Sequence, residues 1–233
     1  MEFMKKVLIL HGWTYSKEKW GEFNNLLKEE GIEIIFPNVP GLTESLDKPW
    51  VLNDYVDWLK KIVDKEKDKI ILIGHSNGGR IALAFGSLYP EKLEKLILID
   101  SAGIYHNELP IRIKRFIFKY IANLGKKLLS FPTLKNILYK TMGESDYKNA
   151  PPILQKTMKS LIAVDLTKIL DKISVPTLIL WGAEDRITPL SDGKLMNRMI
   201  AGSKFCVIKS AKHSPQFTNA KETAEKILEF IKI

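Results

Sequence analysis

The sequence is poor in cysteine and has no long apolar run. Cys206 is the only cysteine among 233 residues, so no disulfide can form within the chain. No apolar stretch reaches the roughly 20 residues that a membrane-spanning helix needs. The apolar run near the N-terminus, Val7 to Leu10, is shorter than the core of a secretory signal peptide. These features predict a cytoplasmic protein in a compartment that keeps thiols reduced.

The chain also lacks the sequence patterns that hold common cofactors. Its four histidines lie far apart in the sequence, which argues against a metal cluster. The segment Gly74 to Gly79 has neither the lysine nor the spacing of a phosphate-binding loop, and no dinucleotide fingerprint opens the first predicted strand. We therefore expect no metal and no cofactor.

Positive charge is concentrated in one part of the chain. The net charge is +9, and residues 104–160 carry eleven basic and three acidic side chains, a net of +8. A solvated helical surface would explain this, and so would attraction of an anionic substrate or an acidic carrier protein. Contact with a membrane surface is a third interpretation and is not favoured. No nucleic-acid-binding motif accompanies the charge, so we expect no nucleic-acid partner.

Apolar strand patterns alternate with helical patterns along most of the chain. Strands are predicted at residues 5–10, 32–36, 70–73, 93–100, 175–181 and 204–208. This alternation is typical of an α/β fold with a doubly wound, mainly parallel sheet. Between residues 102 and 172 the pattern is helical only. We therefore predict a core formed by residues 1–101 and 173–233, with a helical cap at 102–172 over the edge of the sheet where ligands bind.

A candidate nucleophile lies where the third predicted strand turns into a helix. Ser76 is flanked two residues away on each side by Gly74 and Gly78. A sharp turn from strand to helix leaves no room for a Cβ atom at those positions and raises the serine hydroxyl above the sheet. The N-terminus of the following helix would stabilise negative charge beside it. We therefore predict that Ser76 is a catalytic nucleophile.

A serine nucleophile needs a general base and an acid that orients it. His213 follows the last predicted strand, and its loop should open at the same edge of the sheet as Ser76. The other histidines lie in tight turns or in the insertion. Asp185 follows the preceding strand and is the preferred acid, while Asp100, at the end of the strand before that, is the alternative.

Four segments in this order carry a resemblance to a known superfamily. They are His11-Gly-Trp13, Gly74-His-Ser-Asn-Gly78, Trp181-Gly-Ala-Glu-Asp185 and His213-Ser-Pro215. The sequence resembles the α/β-hydrolase superfamily along nearly its whole length. Within it, the segment from His11 to Trp20 is similar to the opening of small cap-bearing carboxylesterases, including pimeloyl carrier-protein methyl ester esterases. The resemblance implies an α/β-hydrolase fold and an oxyanion hole formed by the backbone N–H groups of Trp13 and Asn77.

Departures from other branches of the superfamily narrow the expected chemistry. A serine at position 76 argues against dehalogenases and epoxide hydrolases, which use a carboxylate nucleophile. His75 and Ser214 occupy positions where hydrolases of carbon–carbon bonds often carry Asn and Trp, which weakens that alternative. We expect a serine hydrolase that cleaves small carboxylic esters of short to medium chain length through an acyl-enzyme. Thioester or carbon–carbon bond hydrolysis by the same triad, and a non-catalytic ligand-binding protein, remain the alternatives.

Overall fold

The six predicted strands form one parallel sheet. The computed structural model describes residues 5–13, 17–106 and 150–232. Within them the strands lie in the spatial order β2-β1-β3-β4-β5-β6. Their bounds are β1 Lys6–Leu10, β2 Glu33–Ile35, β3 Ile70–His75, β4 Leu93–Ile99, β5 Thr177–Gly182 and β6 Lys204–Ile208. Each bound lies within two residues of the prediction, and β6 agrees at both ends.

Helices connect the strands. In the described part of the chain they are α1 Gly21–Glu29, α2 Leu52–Val63, α3 Asn77–Leu88, α4 Pro152–Ile162, α5 Leu190–Met199, α6 Pro215–Thr218 and α7 Ala220–Lys232, with short 3-10 segments at Lys17–Trp20, Pro90–Lys92 and Thr167–Lys172. The sequence pattern did not predict α6, which has a single turn. None of the helices in the described ranges is long and apolar enough to cross a membrane.

The sheet is covered on both faces, as the apolar strand patterns predicted. All six residues of β3 are buried. Leu72 of this strand packs in one core cluster with side chains of α2 and α3, whereas Ile71 and Ile73 pack in a second cluster with side chains of α1 and α7. Successive side chains of a strand point to opposite faces, so a strand in the middle of such a sheet needs apolar residues throughout. The predicted doubly wound α/β fold is therefore confirmed.

The predicted cap lies only partly within the described residues. Residues 102–106 and 150–172 are described, while the segment 107–149 lies outside the described ranges, so the proposed cap boundaries stay a prediction. The two ends of the insertion lie side by side, because the Leu166 N–H donates to the Gly103 carbonyl at 2.9 Å. Arg80 on α3 donates to the Val164 carbonyl at 2.8 Å. The insertion thus leaves and re-enters the core at one place.

Parallel strand order places four loops at one edge of the sheet. The strands β3, β4, β5 and β6 are consecutive neighbours, and all run in the same direction. Their carboxyl ends therefore lie together. The segments that begin at Ser76, Asp100, Ala183 and Lys209 follow these ends. This edge holds every predicted catalytic side chain.

Candidate active site

Ser76 is the single residue between β3 and α3. Its φ and ψ angles are 54° and −118°, in a region that L-residues rarely adopt. Such backbone strain persists only where the surrounding structure holds it, and it concentrates at functional sites. Here the Ser76 N–H donates to the Ile99 carbonyl at 3.1 Å, and the Ala102 N–H donates to the Ser76 carbonyl at 2.9 Å. The end of β4 and the segment that follows it therefore fix the turn.

The two glycines that flank the turn are required by close backbone contacts. A Cβ atom on Gly74 would lie 2.6 Å from the Gly79 Cα atom, and one on Gly78 would lie 2.1 Å from the Leu10 carbonyl oxygen. Both distances are far below van der Waals contact, as the sequence predicted. The first loop also approaches the serine, since a Cβ atom on Gly12 would lie 2.8 Å from that of Ser76.

Three predicted side chains form one continuous hydrogen-bonded chain. His213 Nε2 lies 2.9 Å from Ser76 Oγ, and His213 Nδ1 lies 2.8 Å from Asp185 Oδ2. All three residues are buried. With Asp185 ionised, His213 donates its Nδ1–H to the carboxylate, which leaves Nε2 to accept the serine proton. The structure therefore brings Ser76, His213 and Asp185 together from three different loops.

The setting of Asp185 favours its ionised form. Burial by itself would raise the pKa of this carboxyl, but the hydrogen bond and charge of His213 and the hydrogen bonds from residues 187 and 188 outweigh it and lower the pKa. The main-chain N–H groups of Ile187 and Thr188 donate to Oδ1 at 2.7 and 3.1 Å. The Thr188 hydroxyl donates to Oδ2 at 2.7 Å. Sequence reasoning missed Thr188, although it follows Asp185 closely in the chain.

His75 supports the histidine loop. It is fully buried, and burial first, then the nearby His213, lowers its pKa to about 3. The ring is therefore neutral, and its Nε2–H donates to the His213 main-chain carbonyl at 2.8 Å. Sequence reasoning gave His75 no role beyond the tight turn. Its position next to Ser76 in the sequence was the one feature that could have indicated a role in the site.

The two predicted oxyanion residues are each adjacent in the chain to a residue of the nucleophile turn or of the loop that approaches it. Asn77 is the first residue of α3, so its N–H has no carbonyl acceptor one turn earlier in the helix. Trp13 follows Gly12, whose backbone approaches Ser76, and its side chain packs against the core. Residues 14–16 lie outside the described part.

The fold also brings together residues that the sequence separates widely. One oxygen of Asp100 and one ring nitrogen each of His75 and His213 lie within 4.8 Å of one another. Separation in the sequence did not show that these groups meet in the fold, and the expectation of no metal stays a prediction. Both His213 nitrogens and His75 Nε2 are engaged in hydrogen bonds, however. We assign no metal to this group.

Comparison with known families decides the identity of this fold. A family model described as serine aminopeptidase S33, a family of α/β hydrolases, matches residues 2–217. The chain belongs to this α/β-hydrolase family. The resemblance predicted from the four sequence segments is thereby confirmed.

The relatives of this α/β hydrolase include enzymes of two kinds. A pimeloyl-[acyl-carrier protein] methyl ester esterase from Neisseria meningitidis is 24% identical, over 98% of this chain and 93% of the relative. A 2-hydroxy-6-oxononadienedioate/2-hydroxy-6-oxononatrienedioate hydrolase from Klebsiella pneumoniae is 28% identical, over 97% of this chain and 86% of the relative. The bromoperoxidase structure from Bacillus anthracis matches with a TM-score of 0.76 at 24% identity, over 99% of this chain and 92% of that one. The structural match shows the fold, and the family match confirms a hydrolytic enzyme.

Proposed function

We propose that this α/β hydrolase is a carboxylesterase that acts through an acyl-enzyme on Ser76. One observation carries the proposal. The hydrogen-bonded chain from Ser76 Oγ through His213 to Asp185 is the arrangement that activates a serine hydroxyl at neutral pH.

In the first half of the reaction, Ser76 Oγ attacks the ester carbonyl carbon while its proton passes to His213 Nε2. The Asp185 carboxylate stabilises the imidazolium that forms. The tetrahedral oxyanion accepts hydrogen bonds from the N–H groups of Trp13 and Asn77. The intermediate collapses, the alcohol leaves with the proton from His213, and the acyl group stays on Ser76.

In the second half, His213 takes a proton from water, and the resulting nucleophile attacks the acyl-enzyme. A second tetrahedral intermediate collapses to release the carboxylic acid and to return the proton to Ser76. No step requires a cofactor, because base, nucleophile and oxyanion donors all belong to the chain.

The substrate class proposed is a small ester of short to medium chain length, with an anionic group or an acidic carrier favoured by the basic insertion. Residues 104–160 carry a net charge of +8. A relative named for an acyl-carrier-protein ester supports this preference. Of the basic residues, Lys156 and Lys159 lie on α4, and the others lie outside the described part.

Carbon–carbon bond hydrolysis is the second candidate. The Klebsiella relative is named for a substrate of that reaction. His75 stands against it, because this ring supports the histidine loop where those enzymes often carry Asn. The ester proposal therefore takes precedence.

Labelling with a serine-directed phosphonate tests the proposal. The parent protein should be labelled at Ser76, and Ser76→Ala should not be labelled. Ser87→Ala is a matched control, because Ser87 lies on the same helix and its hydroxyl donates to the Ala84 carbonyl in that helix. Ser76→Ala and His213→Ala should each lower turnover of p-nitrophenyl esters by about four orders of magnitude or more. Labelling elsewhere, or an active Ser76→Ala protein, would refute the assignment.

A further inference from the structure

Asp100 is a fully buried carboxyl group beside the proposed catalytic residues. It follows β4 with a φ angle of 42°, unusual for a residue other than glycine. Its N–H donates to the Leu180 carbonyl at 3.0 Å, and its Oδ1 accepts the Gly182 N–H at 2.8 Å. These contacts fasten the end of β4 to β5, from which the Asp185 loop begins.

The other carboxyl oxygen of Asp100 has no such contact. Oδ2 is buried and has no hydrogen-bond partner among the described residues. One oxygen of this carboxyl and one ring nitrogen of His213 lie within 4.8 Å of each other. A buried polar atom without a partner is costly, and in native structures it often has a functional reason. Here the atom belongs to a second acid beside the proposed base.

We propose that Asp100 is a positioning residue that takes the place of Asp185 beside the His213 ring when the Asp185 charge is removed. The inference rests on the proposed role of His213 as the general base. It adds a second acid to the site, where the proposed mechanism uses one.

Protonation explains why the two acids coexist in a buried site. Burial first, and the Asp185 charge second, raise the pKa of Asp100 to about 8, whereas the pKa of Asp185 is lowered. Two neighbouring carboxyls in one site separate in this way, one ionised and one protonated. Among the described residues, the titratable groups that face Asp100 are His75 at the end of β3, Asp185 in its loop and His213 after β6. His75 stays neutral, because its pKa is about 3.

When the Asp185 charge is removed, Asp100 should therefore stabilise the His213 imidazolium instead. In Asp185→Asn one of the two causes that raise the Asp100 pKa is gone, so Asp100 ionises at a lower pH. Its carboxylate then stabilises the His213 imidazolium. Loss of the only acid of a serine triad lowers turnover by about 10⁴-fold. With Asp100 as substitute, we expect Asp185→Asn to lose only about 100-fold at pH 8, and Asp185→Asn/Asp100→Asn to lose about 100-fold more.

The experiment compares rate profiles between pH 5.5 and 9.5 for a neutral p-nitrophenyl ester. The parent, Asp185→Asn, Asp100→Asn and the double variant are assayed together, and circular dichroism verifies folding. Asn at position 100 keeps an acceptor for the Gly182 N–H, and Asp100→Ser supplies a second neutral replacement. Asp185→Asn/Asp192→Asn is the matched control, because Asp192 is another buried aspartate, hydrogen-bonded to His106.

The proposal is supported if the rate rises with pH in Asp185→Asn and in the Asp192 control but not in the two double variants that lack Asp100. If the pH–rate profiles of the Asp185→Asn proteins with and without Asp100 superimpose, the proposed role of Asp100 is overturned. An active parent then leaves the esterase proposal intact. An inactive parent overturns both. If turnover collapses in Asp100→Asn while Asp185→Asn stays close to the parent, Asp100 is the only acid and its proposed role as a substitute for Asp185 is overturned.

Discussion

Replacement of Gly78 by alanine should test whether the close packing of the nucleophile turn positions the proposed nucleophile. The added Cβ atom would lie 2.1 Å from the Leu10 carbonyl oxygen, 2.5 Å from its carbonyl carbon and 2.9 Å from the His11 carbonyl oxygen. All three neighbours are backbone atoms of β1 and the loop after it. They cannot rotate away as a side chain would.

The magnitude follows from the displacement that relieves these contacts. Carbon and oxygen atoms approach to about 3.3 Å even in the closest weak hydrogen bonds. The start of α3 must therefore move away from β1 by about 1 Å or more. Overpacking in a well-packed core typically costs about 1–3 kcal/mol, and we expect the upper end because only backbone can move. For a protein of this size that corresponds to a fall in Tm of about 6–12 °C. The same movement displaces Ser76 and Asn77, and a misplacement of about 1 Å can cost about 100-fold in turnover.

Thermal and urea unfolding of Gly78→Ala, together with ester turnover, measure both effects. Gly21→Ala is the control, because a Cβ atom on Gly21, the first residue of α1, would meet no atom within 4 Å. Such a replacement in a compatible helical position stabilises by about 0.4–1 kcal/mol. If Gly78→Ala unfolds within about 1 kcal/mol of the parent and keeps its turnover, the close approach of α3 to β1 does not position the nucleophile.

Three further predictions concern the buried His75 ring, the basic insertion and the chain length of the substrate. The pKa of His75 is lowered from 6.5 to about 3, so the stability that its neutral ring contributes is present above pH 6.5 and is lost as the pH falls below that value. Between pH 6.5 and 4.5, urea unfolding should show the parent losing about 2 kcal/mol more stability than His75→Asn. Equal losses in the two proteins would contradict a neutral buried ring. The preference for an ester with a distal carboxylate over its neutral isostere should fall as salt rises, because the Debye length shrinks from about 30 Å at 0.01 M to about 10 Å at 0.1 M. Replacement of four basic residues of the insertion by Gln should reduce that preference at low salt; they are Arg112, Lys114, Arg115 and Lys119. If neither salt nor these replacements change the preference, the four side chains only solvate the surface. On a p-nitrophenyl ester series, turnover should be greatest for short to medium chains, and a maximum at long chains would contradict the proposed substrate class.

Local sequence determined the strands and the nucleophile turn, because both depend on short-range physics. A strand buried on both faces requires an unbroken apolar run, and 70–73 has one. A sharp turn into a helix requires residues without a Cβ atom, and Gly74 and Gly78 supply them. The single-turn helix α6 escaped prediction, since four residues give no helical period to recognise.

The tertiary structure alone decided which polar side chains meet. Ser76 and His213 are separated by 137 positions, and their hydrogen bond depends on the neighbouring order of β3 to β6. From the sequence, both Asp100 and Asp185 were candidates for the acid that orients His213, because each follows a strand that ends at the same edge of the sheet. The fold gives Asp185 the hydrogen bond to His213 and leaves one oxygen of Asp100 buried without a partner among the described residues. That difference arises from side-chain directions in two adjacent loops, which no periodicity in the sequence records.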